Sequence, residues 1–437
     1  MKIGFLAMSG IRAHDKKLIE LGLTLPGFVE RGRAIASLPS LGLLYLAACT
    51  PEGHELRYFE ADTEAPPEVF SCDLVAISTF SAQIFEAYAI ADRLRESGVK
   101  VAMGGLHVSA LPEEALQHAD YVVVGEGENV WPDVVRAAER GEGPGIFRSS
   151  DYAPVDAAQL PVPRYDLLGD RPYNRYTVQA TRGCPWRCDF CASSVMLQRP
   201  YRRRPVEHVA RDIRAITNIH KSAFVEFADD NTFVDKAWGK ELCRALVPLK
   251  IKWFTETDVT VADDPELLDL MREAGCRQVL IGLESPTAAA LAGVEQRADI
   301  KARWAARYRA AIREIQSRGV TVNACFILGM DGHMPAVFDD VRRFAEEAAP
   351  FDVQITLLTP FPGTPLHDRL LAEGRILQPG AWNLCTLFDV NFRPSGMTPD
   401  ELRAGIYSLS QRLYSADATR RRRREFFSQF NPTMHTP

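Results

Sequence analysis

Apolar positions in the first third of the chain fall into short runs separated by stretches of helical period. KIGFL, ELRYF, DLVAIS, KVAMGG and YVVVG have the pattern of strands, whereas SLGLLYLAACT and FEAYAIADRLRES repeat apolar residues at helical spacing. Alternation of this kind over residues 1–140 predicts an α/β domain with a doubly wound parallel sheet. Its five strand candidates end at Leu6, Phe59, Ser78, Met103 and Val124, and ligands of such sheets bind beyond the carboxyl ends of the strands.

Over residues 141–175 the segments RGEGPGIF and PVPRYDLLGDRPY are dense in Pro and Gly, which breaks both periodicities and marks a linker. A second alternating series follows over residues 176–370. Its strands are YTVQA, AFVEFA, KWFTE, QVLIGL, VNACFI and VQITLL, separated by helices such as VEHVARDIRAI and PELLDLMREAG. Six strand–helix units predict an open, partial (β/α) barrel. The remainder, 371–437, is a small helical region in which PDELRAGIYSLSQRLY is amphipathic and Arg420 to Arg424 form a solvated helix end, where cations are favoured.

With 437 residues, 46% of them hydrophobic, the chain has material for two or three cores. A net charge of -6 with no broad basic excess argues against a nucleic-acid partner. No stretch reaches the roughly 20 continuous apolar residues of a membrane span, and MKIGFLAMSG runs straight into a strand instead of a signal peptide, so a cytoplasmic location is expected. Six of the nine cysteines (Cys49, Cys72, Cys243, Cys276, Cys325 and Cys385) are scattered among apolar neighbours as core thiols, while three crowd between 184 and 191.

Those three carry the chemistry. Cys184, Cys188 and Cys191 stand at C-x3-C-x2-C spacing directly after the first barrel strand. Iron–sulfur clusters ordinarily take four ligands, so three thiolates would leave one iron open to a substrate-like molecule. Structural zinc, the competing explanation, closes its tetrahedron with four protein ligands, and no histidine or fourth cysteine lies nearby in sequence. The spacing, with the aromatic Phe190 just before the third cysteine, resembles the radical S-adenosylmethionine (SAM) superfamily. That resemblance implies a [4Fe-4S] cluster on the three cysteines. It also implies chelation of the open iron by SAM, release of a 5'-deoxyadenosyl radical, and an external one-electron reductant such as a flavodoxin or ferredoxin.

Polar residues at the other strand ends supply candidate cofactor contacts: Asp229, Asp230 and Asn231, then Glu256 and Asp258, then Glu284 and Ser285. A carboxylate there can accept charge-assisted hydrogen bonds from the methionine ammonium or the ribose hydroxyls, with Asp229 and Glu284 foremost. Asp230 and Asn231 are equally suited to cap the helix that follows. Resemblance adds that FADDNTF and IGLES match segments that contact the cofactor in relatives.

The order of elements, with SLPSLGLLYLA, GGLHVSALPEE and VVGEGE, also resembles the subgroup in which a flavodoxin-like, cobalamin-binding domain precedes the barrel. Ser9, Gly10, Ser78 to Ser81, Gly104, Gly105, Gly125 and Gly127 would let backbone approach a flat corrin, although any single glycine pair equally well makes a turn. The D-x-H-x-x-G segment that delivers a cobalt-ligating histidine is absent. His107 and His14 sit in suitable loops, but a corrin is expected here without a histidine on the metal.

The subgroup implies cobalamin-dependent methylation of an unactivated carbon in a small molecule. Cyclisation or rearrangement without net methylation is the alternative, and a non-catalytic carrier a third. Relatives that methylthiolate transfer RNA carry three more cysteines in the N-terminal domain, where this chain has only Cys49 and Cys72. No catalytic residue and no substrate can be read from the sequence; Trp186, Trp253, Phe361 and TPFPGTPL are candidates for a pocket wall, or for packing.

Overall fold

The computed structural model describes residues 1–10, 12–24, 38–193 and 201–430. The first sheet holds β1 (Lys2–Met8), β2 (Glu55–Ala61), β3 (Leu74–Ser78), β4 (Lys100–Gly104), β5 (Tyr121–Val124) and β6 (Gly145–Arg148). All are parallel, in the order β2-β1-β3-β4-β5-β6. This is the flavodoxin-like order with one added edge strand. β6 lies within the segment read as linker. A four-residue edge strand that begins on the second glycine of Gly-Pro-Gly shows no alternation, so the pattern could not reveal it.

The chain then forms β7 (Tyr176–Val178), a short antiparallel ribbon of β8 (Thr181–Arg182) with β9 (Arg202–Arg203), and β10 (Phe224–Phe227), β11 (Lys252–Thr257), β12 (Cys276–Glu284), β13 (Thr321–Leu328) and β14 (Asp352–Leu357). Apart from the ribbon these strands pair in parallel and in chain order from β7 to β14, giving the six-stranded open barrel that the periodicity predicts. Helices capped by Asp235 and Asp264 pack outside it, since each aspartate accepts a backbone N–H of the first turn.

Large side chains pin each sheet to its helices. Trp131 packs tilted against Phe5 with ring centroids 5.7 Å apart and donates to Thr50 Oγ1. Trp253, which the sequence offers either for a pocket wall or for packing, packs: it is fully buried against Phe227 and Phe233 and donates to the Ala274 carbonyl. Truncating either would cost about 3–5 kcal/mol.

The C-terminal helices Pro399–Leu413 and Ala416–Phe430 dock on the barrel, the first opened by a capping box between Thr398 and Glu401. The arginine run is less solvated than expected. Arg422 is 5% exposed and donates to the Leu413 carbonyl, and Arg423 lies over the Phe351 ring. No helix among the described residues is long and apolar enough to cross a membrane.

Candidate functional site

The cysteine loop is held from several sides. Past β7, the N–H groups of Ala180 and Thr181 donate to Asp229 Oδ1 at 2.8 and 3.0 Å, and Thr232 Oγ1 donates to Asp229 Oδ2 at 2.8 Å. Gly183 turns the chain at φ +84° and donates its N–H to Asp230. Trp186 Nε1 donates to Asp258 at 3.1 Å and its ring meets Trp304 edge-on. On the far side Cys188 pairs antiparallel with Glu295, whose carboxylate also accepts the N–H of Arg187 at 3.1 Å. Phe190 packs partly buried against the core.

All three thiols are partly exposed. They lie close enough that a charge on one raises its neighbours, although among the described residues no three Cys, His, Asp or Glu side chains gather around a single-ion position. Burial pushes the Cys184 thiol up to about 11 and raises Cys188 further. Ligation must therefore release protons from this loop. Three mutually close, partly exposed thiols on a braced loop fit a cluster that leaves one iron free.

Sequence placed Asp229 as a ligand contact; the structure corrects this. It accepts from Ala180, Thr181 and Thr232 and is only 4% exposed, so it fixes the loop from within, and burial pushes its pKa up to about 6 despite those donors. The capping role considered for Asp230 and Asn231 belongs to Asp235, while Asn231 donates to Asp258 and accepts that residue's N–H.

Glu256, the penultimate residue of β11, opens into the barrel interior, reachable by water yet walled by protein. Its side chain has no hydrogen-bond partner among the described residues. Desolvation, then repulsion from Glu226, Asp230, Glu284 and Asp229, pushes its pKa up to about 8.

Glu284 ends β12 at φ +63°, a left-handed conformation unusual for a residue with a side chain, where the ladder to β13 bulges between Gly282 and Glu284. Its carboxylate pairs with Lys301 Nζ at 2.8 Å. Ser285 is fully buried and bonds His333 Nε2 at 3.0 Å, while the Met330 N–H donates to His333 Nδ1. Burial lowers the pKa of His333 to about 4, so the ring is neutral and its proton sits on Nε2. Sequence reasoning missed Lys301, His333 and Glu295. Single polar residues in loops and short helices give no periodic signal, and their partners lie far along the chain.

At the carboxyl end of the first sheet, the loops after β1 and β3 are tied together by Gln83 Nε2, which donates to the carbonyls of Ser9 and Gly10. Gly105 (φ +112°) would bring a Cβ within 2.7 Å of the Thr79 carbonyl, and Gly125 (φ +85°) within 2.5 Å of Ser149 Oγ. A Cβ on Gly127 would press on Leu46 at 2.9 Å. Gly105 and Gly125 are therefore set by backbone conformation and the protein's own packing, and Gly127 by its close approach to Leu46. At Gly104 an added Cβ would meet nothing closer than 3.7 Å, and Ser78 lies beside it in register. Phe80 is 63% exposed at the same edge, so the loops present small residues and an apolar ring of the kind a flat macrocycle needs.

His107 is fully buried, with Nδ1 on Ser81 Oγ at 3.0 Å and Nε2 on Glu114 at 3.2 Å. Both ring nitrogens are engaged, which corrects its place among cofactor contacts. The His14 N–H donates to Asp389.

A buried charge cluster joins the two sheets. Arg182, two residues before Cys184, donates to Glu126 at 2.9 Å and Glu128 at 2.6 Å from the loop after β5, and Arg202 of β9 also pairs with Glu126.

Family models match in three places: the radical SAM superfamily over residues 178–345, the B12 binding domain over 33–135, and a domain of unknown function (DUF4070) over 364–437. An uncharacterized methyltransferase of Synechocystis sp. is 30% identical over 82% of this chain and 67% of its own length. Bacteriochlorophyllide d C-12(1)-methyltransferase of Chlorobaculum tepidum is 25% identical over 88% of this chain and 84% of its own. Among solved structures, the radical SAM methyltransferase TsrM of Kitasatospora setae, with tryptophan and a SAM analogue bound, superposes with a TM-score of 0.64 at 16% identity, over 94% of this chain and 83% of its own, a likeness of fold. With the braced thiol loop at the barrel mouth and the small-residue edge of the first sheet, these matches establish that the chain belongs to the radical SAM superfamily, in the group whose barrel is preceded by a B12-binding domain.

Proposed function

We propose that this protein is a cobalamin-dependent radical SAM methyltransferase acting on an unactivated carbon of a small molecule. The observation that carries the reading is the three-thiol loop clasped, through Arg182, to the loop after β5 of the B12-binding sheet. When bound, the cluster and SAM supply a 5'-deoxyadenosyl radical and cobalamin supplies a methyl group.

The chain's part is to hold and orient. Cys184, Cys188 and Cys191 hold the cluster, with Phe190 packed behind them. Asp230, Glu256 and Glu284 offer carboxyl groups, and Ser285 fixes the turn after Glu284 through His333. Burial and the surrounding carboxylates raise the pKa of Glu256, so this carboxyl holds its proton more readily than an ordinary one and can donate a hydrogen bond when it does. Ser78, Gly104 and Phe80 face the corrin, while Gly105, Gly125 and Gly127 shape its cradle. With both ring nitrogens of His107 hydrogen-bonded, this histidine would not be free to bind the cobalt of a cobalamin held here, and cob(II)alamin added to the protein is expected to give a paramagnetic resonance spectrum without nitrogen splitting from it. We assign residues 1–140 to the corrin domain with β6 as an appended edge, 176–370 to the radical barrel and 371–437 to a helical cover. A flavodoxin or ferredoxin supplies electrons in the cytoplasm.

The test is anaerobic incubation of the reconstituted, reduced protein with methyl-deuterated SAM and an extract of small molecules from the source cells. A product carrying the label on carbon, with 5'-deoxyadenosine formed alongside, is expected. An unlabelled cyclised or rearranged product would replace methylation with that alternative.

A further inference from the structure

Lys301 is an unusual residue to find inside this barrel. It is 8% exposed, it comes from the short helix Ile300–Trp304, and its ammonium makes two charge-assisted bonds, to the Gly282 carbonyl at 2.7 Å and to Glu284 Oε1 at 2.8 Å. Burying a lysine is costly unless a carboxylate accompanies it, and Glu284 keeps this one protonated against the desolvation that would strip its proton.

The local backbone is arranged to bring the pair together. The bulge in β12 and the left-handed conformation of Glu284 re-aim the carboxylate. Glycine at position 282 leaves room for the pair, since a Cβ there would stand 2.4 Å from Glu284 Oε1 and 3.4 Å from Lys301 Nζ and displace the carboxylate. Strain of this kind persists only where the surroundings over-determine it, and it gathers at functional positions.

The pair does not stand alone. Cys188 is bridged to Glu295, just ahead of the helix that carries Lys301. Both charges, positive on Lys301 and negative on Glu284, lie within electrostatic reach of the Cys188 sulfur. Reducing a [4Fe-4S] cluster by one electron adds one negative charge, so a fixed positive charge beside a ligating sulfur favours the reduced form, and a fixed negative charge opposes it.

We propose that the buried Lys301–Glu284 pair sets the reduction potential of the cluster on Cys188, with Lys301 raising it and Glu284 trimming that effect. The electron comes from the external one-electron donor, and the pair decides how readily the cluster accepts it. This rests on the cluster-binding reading above.

The experiment is a redox titration of the full-length, anaerobically reconstituted protein without SAM, followed by paramagnetic resonance, for wild type, Lys301→Met and Glu284→Gln. Leaving SAM out separates the potential from any role of Glu284 in binding it. The midpoint is expected to move negative in Lys301→Met and positive in Glu284→Gln. Opposite signs are what a merely structural pair would not give, since breaking it from either side would disturb the loop alike. Unchanged midpoints, or shifts in one direction for both, would overturn the proposal. If Lys301→Met fails to hold cluster, the sign in Glu284→Gln decides. Iron and sulfide analysis of the wild type keeps the two questions apart: an absent cluster overturns the underlying reading, and a normal cluster with an indifferent potential overturns only this one.

Discussion

At the carboxyl end of the first sheet the chain offers Ser78, Gly104 and the exposed ring of Phe80, and its buried histidine is fully hydrogen-bonded. At the carboxyl end of the second it offers three thiols, the uncompensated carboxyl of Glu256, and a buried lysine–glutamate pair on strained backbone. Both sheets are six parallel strands, so architecture does not decide the difference. The first surface suits a large preformed cofactor held by shape. The second must bind charged groups and a metal cluster among closely set carboxyl groups, where a buried charge needs a partner or a shifted pKa. The cluster of Arg182, Arg202, Glu126 and Glu128 is where the two meet.

If the surfaces are separable, Cys188→Ala breaks one alone. Iron content and 5'-deoxyadenosine formation should both be lost, because two thiolates cannot hold the cluster with one iron kept open. Corrin uptake by the first sheet should persist. Simultaneous loss of corrin would show that the comparison divides the molecule wrongly.

Arg182→Gln should damage both surfaces together. It leaves Glu126, only 4% exposed, with Arg202 alone and takes from the partly buried Glu128 its Arg182 partner, at a cost of up to about 3–5 kcal/mol, the figure for a buried pair broken from one side. Melting temperature, iron content and corrin content are expected to fall in parallel. Normal corrin content with reduced iron would reduce the clasp to a local support of β8.

Gly125→Val addresses the first surface. A left-handed φ of +85° and a Cβ within 2.5 Å of Ser149 Oγ together cost about 1–3 kcal/mol, and the loop after β5 must shift. Corrin affinity, read by absorbance titration, should drop while reconstituted iron stays near wild type.

The smallest effect is expected from Glu256→Gln. The folded pKa, pushed from 4.5 to about 8, lies above the unfolded one, so the native state holds the extra proton and stability falls as pH rises through that window. Because the carboxyl is reachable by water, the loss should be well below what the full shift would give. Denaturation midpoints measured from pH 5 to 9 should decline less steeply in the variant. Identical slopes would place the carboxyl in ordinary solvent.

Much of this was legible in the residues. The six barrel strands and five of the six in the first sheet announce themselves by period, and the cysteine spacing is a local pattern that needs no fold to be seen. What was not legible depends on distant partners. Nothing in FADD says that the N–H groups of Ala180 and Thr181 will consume Asp229, nothing in GGLH says that Glu114 will occupy His107, and the pairing of Lys301 with Glu284 needs the bulge in β12. Glycine told where the backbone is tight but not against what: Thr79, Ser149 and Leu46 are the answer at three positions where a ligand was expected.

The central claim is that the three-thiol loop holds a cluster with one iron open to SAM. Its most direct measurement is the paramagnetic resonance spectrum of the reduced, reconstituted protein before and after SAM is added, with 5'-deoxyadenosine quantified in the same sample. A [4Fe-4S] signal that changes on adding SAM, with deoxyadenosine accumulating, is the predicted result. A signal indifferent to SAM with no deoxyadenosine, or stoichiometric zinc in place of iron, would contradict it.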